Sequence, residues 1–218
     1  MMVFESTTEH NTRQKIMLTA LALFAEHGFE RTTVRQIAKS ASVNISAVSY
    51  YFGDKAGLYK AAFTEPMGSP KDDIALFNAP DLSLEQAFNG LFSGFIEPLK
   101  QNQYVKQCIR LHMREMVEPT GLWQQEIDDG IQPYQQALIL VLQRYLGLSV
   151  TDDNVHRLAT SIIAMGVYMY VGREVIENVC PQIMQTEQAL NATQQRLVVY
   201  AISMVDAEKN LRKLLQSS

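Results

Sequence analysis

The stretch VNISAVSYYFGDK, residues 43 to 55, decides the fold of this chain. It begins with small and polar residues, continues into a run of aromatic residues, and ends at a glycine followed by an aspartate and a lysine. An aromatic run that only filled a core would not need Ser46, Ala47 and Ser49 in front of it, because small side chains on a helix leave room for a large partner to approach. Asn44 belongs to the residue types that cap helices. The stretch therefore predicts a short helix with one exposed face suited to close contact.

The residues on either side predict helices that pack around this one. Apolar residues at helical spacing predict a first helix over about residues 13–27. Thr33 and Gln36 have the spacing of a capping box and predict a second helix over about residues 34–40. With the third helix from residue 45 to about 51, the pattern is that of a helix-turn-helix unit. A fourth helix follows the glycine and is capped by the aspartate of the quoted stretch.

The rest of the chain is also helical in pattern. The segment PMGSPKDDIALFNAPD, residues 66–81, contains three prolines and predicts a loop or an imperfect helix between two functional regions. We therefore expect an all-α protein of about nine helices, with a three-helix helix-turn-helix domain at residues 1–65 and a larger helical domain at residues 66–218. The helices of the second domain are expected at residues 84–101, 103–117, 120–146, 152–178 and 187–215.

Composition and charge limit the possible functions. The 218 residues are 47% hydrophobic and 19% charged, as in an ordinary folded protein. The formal net charge of −4 argues against a protein that coats nucleic acid or membrane over its whole surface. Residues 1–65 carry 7 Lys and Arg against 6 Asp and Glu, whereas residues 66–218 carry 12 against 17. The N-terminal part is therefore the less acidic one, as expected for a DNA-reading domain on an acidic body.

The sequence lacks the signals of enzymes, metal sites and membrane proteins. No GxSxG, HExxH, P-loop or dinucleotide-binding motif occurs, so we expect no catalytic residue. No second metal ligand is expected at helical spacing for His112 or His156, and Cys108 and Cys180 stand alone, so neither a metal nor a cofactor is expected. The N-terminus has no apolar run of secretory length, and the most apolar stretch, residues 158–172, is too short to span a bilayer. We expect a cytoplasmic protein.

The small residues of the quoted stretch fit the DNA major groove. Small side chains let the helix backbone approach the bases closely. The hydroxyl groups of Ser46 and Ser49 can bond to base edges or phosphates, and Ile45 or Ala47 can touch a thymine methyl group. These residues are therefore expected to read the DNA.

The aromatic and basic residues that come next are suited to contacts with the DNA backbone. Tyr50 and Tyr51 can each place a ring on the protein and a hydroxyl group on a phosphate, whereas Phe52 is better suited to the core. Lys55 stands at the start of the fourth helix, where the helix N-terminus also favours an anion. These aromatic and basic residues are therefore expected to anchor the domain.

A family resemblance follows from these residues. TTVRQIA at residues 32–38 and ASVNISAVSYYFGDKAGLY at residues 41–59 resemble the DNA-binding domain of the TetR family of bacterial transcriptional regulators. The resemblance covers about residues 12–63, and YYFGDK followed by LY is among the most recognisable features of the family. REMVEPT at residues 114–120, with IQP at residues 131–133, resembles the subgroup that includes the CerR and YbiH-type regulators.

The resemblance implies a homodimer that binds a pseudopalindromic DNA operator, most often as a repressor. It also implies that a small-molecule effector binds in the helical body and releases the protein from DNA. Ile45 is less polar than the residue that many family members carry at this place. By position, the resemblance assigns phosphate contacts to Thr33, Arg35, Tyr50, Tyr51 and Lys55, and base contacts to Asn44, Ile45, Ser46, Ala47 and Ser49.

Two helices of the body predict a subunit interface. The chain is apolar nearly all round from residue 155 to residue 171, so this helix must be covered on two sides. The core of the chain is one cover and a partner subunit the natural second, although a helix central in a monomer would show the same pattern. The final helix offers a further apolar stripe. The interface candidates are Ile162, Met165, Met169, Leu197, Ala201 and Val205.

An effector pocket in the body is expected to be mostly apolar and aromatic with a few polar residues. Plain core packing is the alternative use of each candidate, and ion pairs with nearby glutamates are the alternative use of the arginines. The candidates are Phe92, Phe95, Arg110, Met113, Met116, Trp123, Tyr134, Met165, Tyr168 and Met169.

The competing function is that of a helical interaction protein that keeps a helix-turn-helix shape without binding DNA. Such a protein would be expected to lose Lys55, Tyr50 or Tyr51, and this chain keeps all three. The residues therefore favour a ligand-responsive DNA-binding transcriptional regulator.

Overall fold

A computed structural model describes residues 3–67, 70–101, 103–122 and 131–216, and within these ranges it contains helices and no strand. The expected all-α class is confirmed. Eleven α-helices lie in the described ranges, together with short 3₁₀ turns at Glu65–Met67 and Pro181–Ile183. The α-helices are α1 Val3–Arg31, α2 Val34–Ser40, α3 Ile45–Phe52, α4 Lys55–Thr64, α5 Pro70–Ala75, α6 Leu84–Lys100, α7 Gln103–Val117, α8 Gln132–Leu146, α9 Asp153–Val171, α10 Arg173–Val179 and α11 Glu187–Gln216.

Several boundaries differ from the expected ones. Helix α1 begins at Val3 rather than near residue 13, and its helical geometry is interrupted at Gly28, where φ is 80° and ψ is 172°. Of the helix expected over residues 120–146, residues 120–122 are not helical, residues 123–130 lie outside the described ranges, and α8 covers Gln132–Leu146 with a proline in its first turn. The helix expected over residues 152–178 is divided at Gly172 into α9 and α10. Together with the short α5, this division explains why there are more helices than expected.

The three caps predicted around the quoted stretch are confirmed. Thr33 and Gln36 form a capping box, in which the Gln36 N–H donates to Thr33 Oγ1 at 3.2 Å and the Thr33 N–H donates to Gln36 Oε1 at 2.8 Å. Asn44 Oδ1 accepts from the Ser46 N–H at 2.9 Å. Asp54 Oδ1 accepts from the Gly57 N–H at 2.8 Å. Each cap satisfies backbone donors that a helix start leaves without partners, so the short helices α2 and α3 begin at fixed residues.

Contacts divide the chain into two compact units, and α7 belongs to the first. Residues 1–68 and 101–124 form the first unit, and residues 69–100 and 125–218 form the second. The buried residues Cys108 and Leu111 of α7 lie in the same hydrophobic core as the buried residues of α1 to α4. The predicted functional boundary after residue 65 places α7 with residues 66–218. The periodicity of the sequence cannot show that a later helix packs against the first four.

The second unit has its own core. It is built by α6, α8, α9 and α11, with Phe88, Leu91 and Phe92 of α6 fully enclosed. Ionic and polar contacts tie its outer helices together. Arg212 of α11 donates to both carboxylate oxygens of Asp152 at 2.7 and 2.8 Å, next to the start of α9.

Candidate nucleic-acid interface

Helix α3 is fixed by one buried residue and exposes the rest of its length. Val48 is completely buried in the core of the first unit, whereas Ile45 is 50% exposed and Tyr50 75% exposed. Ser46 and Ser49 are exposed as well. Positions 45, 46 and 49 lie on one side of a helix, so these side chains form a single exposed face of α3.

Asn44 organises the start of this surface. Its Oδ1 accepts both the N–H and the hydroxyl group of Ser46, each at 2.9 Å. The same side chain therefore caps α3 and orients the first hydroxyl group of its exposed face. Ala47 is half-buried on the inner flank of the helix, so it contributes less surface than Ile45.

Helix α2 offers a second contact point at its start. The Thr33 hydroxyl group donates to Gln36 Oε1 at 2.8 Å within the capping box, while Arg35 is exposed. The structure thus places Arg35 as a solvent-facing cation at the first turn of α2. Thr33 is exposed as well, and its hydroxyl group is engaged in the capping box.

The aromatic run at the end of α3 forms a ladder of rings. The rings of Tyr50 and Tyr51 meet edge to face with centroids 4.9 Å apart, and those of Tyr51 and Phe52 are 6.4 Å apart. Phe52 is half-buried, and the guanidinium carbon of Arg13 lies 4.9 Å from the centre of its ring. Phe52 thus acts as the inner member of the ladder, as expected, and Tyr50 as the outer member.

Two supporting contacts could not be found from sequence periodicity. Arg13 of α1 donates to both oxygens of Glu65, at 2.8 and 2.5 Å, and so joins α1 to the end of α4. This contact lowers the pKa of the Glu65 carboxyl group, because Arg13 hydrogen-bonds to the ionised form. Lys55 lies over the ring of Phe29. Both pairs join residues far apart in the sequence, and no local pattern reports them.

The predicted effector residues fall in both units. In the first unit, Arg110 and Met116 are exposed and Met113 is half-buried, all on α7. Trp123 lies outside the described residues. In the second unit, Phe92 and Met169 are buried in the core, Met165 is half-buried against it, and Tyr168 is 53% exposed.

Two of the predicted effector residues do come together in the second unit. The ring centroids of Phe95 and Tyr134 lie 6.4 Å apart, and the ring of Tyr170, which is not among the predicted residues, lies 6.3 Å from that of Phe95. Gly166 leaves space for this cluster, since a Cβ atom there would come within 2.6 Å of the Phe95 ring. Burial raises the pKa of Tyr134 and of Tyr170, so both hydroxyl groups stay protonated.

The predicted interface residues lie mainly in the core of the chain itself. Ile162, Met169, Leu197, Ala201 and Val205 are each less than 9% exposed, and Met165 is half-buried. The helical period thus predicted an apolar stripe, which the core of the second unit covers within the single chain. The other sides of α9 and α11 instead expose Ala164, Tyr168, Val171, Val199 and Tyr200.

The described residues contain no group of three or more His, Cys, Asp and Glu side chains that could hold a metal ion. Among the helices of the described ranges, none combines the length and the apolar character needed to cross a membrane.

Comparisons with known proteins define the class of this protein. Residues 16–62 match the sequence model of bacterial regulatory proteins of the tetR family. Residues 84–204 match that of the C-terminal domain of the HTH-type transcriptional dual regulator CecR. An exposed α3 within a helix-turn-helix head, followed by a regulator-type helical domain, defines a transcriptional regulator. The chain belongs to the TetR family of these regulators and carries a CecR-type C-terminal domain, so the predicted family is confirmed.

Individual relatives agree with this assignment. CecR of Shigella flexneri is 26% identical over 175 residues, which cover 75% of this chain and 78% of that protein. The probable HTH-type transcriptional regulator YttP of Bacillus subtilis is 47% identical over 55 residues, 25% of this chain, and the match spans only 27% of YttP. The crystal structure of NalD from Pseudomonas aeruginosa superposes with a TM-score of 0.64 at 18% identity, over 90% of this chain and 97% of NalD, which shows the shared fold. These relatives are regulators rather than enzymes.

Proposed function

We propose that this regulator binds a pseudopalindromic operator as a homodimer and reads it with α3. The observation that carries the proposal is the exposed face of α3, where Ile45, Ser46 and Ser49 stand out while Val48 holds the helix in the core. A helix anchored on one side and bare on the other can enter the major groove without rearrangement. Tyr50 and Arg35 flank this face and are exposed for phosphate contacts.

The exposed sides of α9 and α11 support dimerisation. Tyr168 and Val171 of α9 and Val199 and Tyr200 of α11 are each at least half exposed in the single chain. Such apolar stripes on long helices are normally covered by another subunit, and a two-fold axis covers them with the same surface. These side chains, rather than the buried stripe on the opposite side, form the proposed interface between two copies.

Effector control is the third part of the proposal. The aromatic cluster of Phe95, Tyr134 and Tyr170 is the candidate floor of a small-molecule site in residues 66–218, where the two tyrosine hydroxyl groups donate to backbone carbonyl groups and the rings offer an apolar surface. Effector binding there would act only through a difference in affinity between DNA-binding and released states. NalD is described as a secondary repressor of a multidrug efflux pump. Repression is the action proposed for this chain, and the cytoplasm is its proposed location.

The experiment that tests the proposal is selection of bound fragments from the source genome by the purified protein. We expect a palindromic motif with half-sites about 34–36 Å apart. Binding to the best fragment should weaken steeply with salt, because phosphate contacts release counterions. No enrichment at low salt, by protein shown to be folded and free of bound small molecules, would contradict the proposal and favour a helical interaction protein without DNA function.

A further inference from the structure

A buried hydrogen-bond network joins α4 to the end of α7 within the first unit. Its centre is Glu115, which is only 1% exposed. The Tyr59 hydroxyl group donates to Glu115 Oε2 at 2.6 Å, and the N–H and hydroxyl group of Thr120 both donate to Oε1 at 2.7 Å. We call Tyr59, Glu115 and Thr120 the Glu115 network.

The network needs all of its donors. A buried carboxylate is stable only when its oxygens are hydrogen-bonded, because burial removes its hydration. Burial and the bond to Glu115 raise the pKa of Tyr59, so its hydroxyl group stays protonated as a donor. The Tyr59 ring also meets Phe24 and Phe29 edge to face, each at 5.0 Å between centroids, so a shift of Tyr59 would disturb α1 as well.

The network has room to open. A cavity of about 350 Å³ borders it, lined by the turn at residues 27–31, Tyr59 and the end of α7. Protein interiors resist change because they are close-packed, and open space on one side of a polar contact removes part of that resistance. Glu115 and Thr120 therefore have space to move away from Tyr59, whose own ring stays packed against Phe24 and Phe29.

The position of the network in the chain indicates which segments it couples. Helix α4 follows α3 directly, so the side chain that holds α4 also sets how α3 is presented. Thr120 belongs to the segment after α7, and the Leu122 N–H donates back to its hydroxyl group at 3.2 Å. From there the chain continues through residues 123–130 to α8 in the second unit.

We propose that Glu115 is a positioning residue for operator binding, which holds α4 through Tyr59 and couples it to the segment after α7 through Thr120. This inference rests on the proposed function. The network adds a switch to the proposed function. When its hydrogen bonds are formed, α4 and α3 are held in the arrangement that binds DNA. When these bonds are broken, the two helices are no longer held in that arrangement.

The test uses the 218-residue chain with Y59F and E115Q, which change few atoms. I16V is the matched control, since Ile16 is fully buried in the same core but takes no part in the network. Binding is measured to the fragment selected by the wild-type protein and to the same fragment with one base pair inserted at its centre. Hydrogen–deuterium exchange of α4 and of residues 118–122 is measured without DNA.

We expect Y59F to bind the selected fragment about tenfold more weakly and to discriminate less against the inserted base pair, because a loosened α4 no longer fixes half-site geometry. Exchange should accelerate together in α4 and in residues 118–122, and E115Q should behave alike. I16V should keep the discrimination and the exchange pattern even where its melting temperature falls as far as that of Y59F.

Unchanged exchange in either segment of Y59F would overturn the network, and so would unchanged discrimination between the two fragments. A wild-type protein that selects no fragment would instead refute the proposed function, and the exchange experiment would still decide whether Glu115 couples the two segments.

Discussion

The ammonium nitrogen of Lys55 lies 4.2 Å from the centre of the Phe29 ring and 3.4 Å from the carbonyl oxygen of Glu30. Phe29 is at the end of α1 and Lys55 at the start of α4, so the contact joins the two helices that flank the helix-turn-helix. A lysine held over an aromatic face loses little further freedom when it meets a phosphate. Lys55 is thus held by the protein in one orientation, from which the proposed phosphate contact would be made.

The first prediction separates the charge of Lys55 from its orientation. F29L should weaken operator binding about threefold while the slope of affinity against salt stays the same, because the charge remains but its orientation is lost. K55A should weaken binding further and reduce the salt slope by about one. Fluorescence anisotropy over a salt series measures both quantities. F29Y, which keeps the ring face, is the control, and an equal loss in F29Y and F29L would contradict the role of the ring.

Gly28 carries the second prediction. Its φ of 80° and ψ of 172° are accessible almost only to glycine, and a Cβ atom there would come within 2.7 Å of the Arg114 side chain. G28A should therefore lower the free energy of unfolding by roughly 3 kcal/mol. The control is Gly147, which is left-handed at φ 69° and has no heavy atom within 4 Å of such a Cβ, so G147A should cost only about 1 kcal/mol. Urea titrations give both values, and equal losses would show that Arg114 moves aside freely.

The third prediction concerns the subunit interface. A164E and Y200E place a charge on the exposed sides of α9 and α11, and each should convert a dimer into monomers without changing the helical content. K209E, on the opposite side of α11 from Tyr200, is a matched charge change that should leave the dimer intact. Light scattering after size exclusion reports the mass. Dimers that persist in both A164E and Y200E would exclude this surface.

Short-range sequence patterns predicted the helix-turn-helix of this protein well, because the contacts that fix its helix starts are local. Caps such as Asn44 and Asp54 act on backbone groups within three residues, so a short stretch contains all the information needed. The contacts Arg13–Glu65 and Tyr59–Glu115 join residues 52 and 56 positions apart and depend on tertiary packing. No single-sequence pattern encodes that packing.

The body shows the limit of periodicity more sharply. The stripe containing Leu197, Ala201 and Val205 has the 3.6-residue period of a helix face, but period alone does not say whether the face meets the same chain or a partner. All three turn out to be covered by the unit's own core. The exposed stripe with Val199 and Tyr200 is less regular in composition, and only the burial of each residue identifies it.

The last prediction is a pH dependence that His112 confers on the first unit. Its ring stacks on Phe63 with centroids 3.8 Å apart, and its Nδ1 lies 2.8 Å from the Cys108 carbonyl oxygen. Burial lowers the pKa of His112 from 6.5 to about 4, although the Cys108 carbonyl group and the charge of Glu115 act in the opposite direction.

The sign of the effect follows from proton binding. Between pH 6.5 and about 4 the unfolded chain protonates this histidine and the folded chain does not, so the free energy of unfolding falls as the pH is lowered through this window. The contribution of His112 should be intact above pH 6.5 and diminish by roughly 2 kcal/mol at pH 5. H112F keeps an aromatic ring against Phe63 but cannot titrate, so its urea midpoint should fall less than that of the wild-type protein between pH 7.5 and pH 5. Equal falls in the two proteins would mean that other groups, and not His112, carry the acid sensitivity.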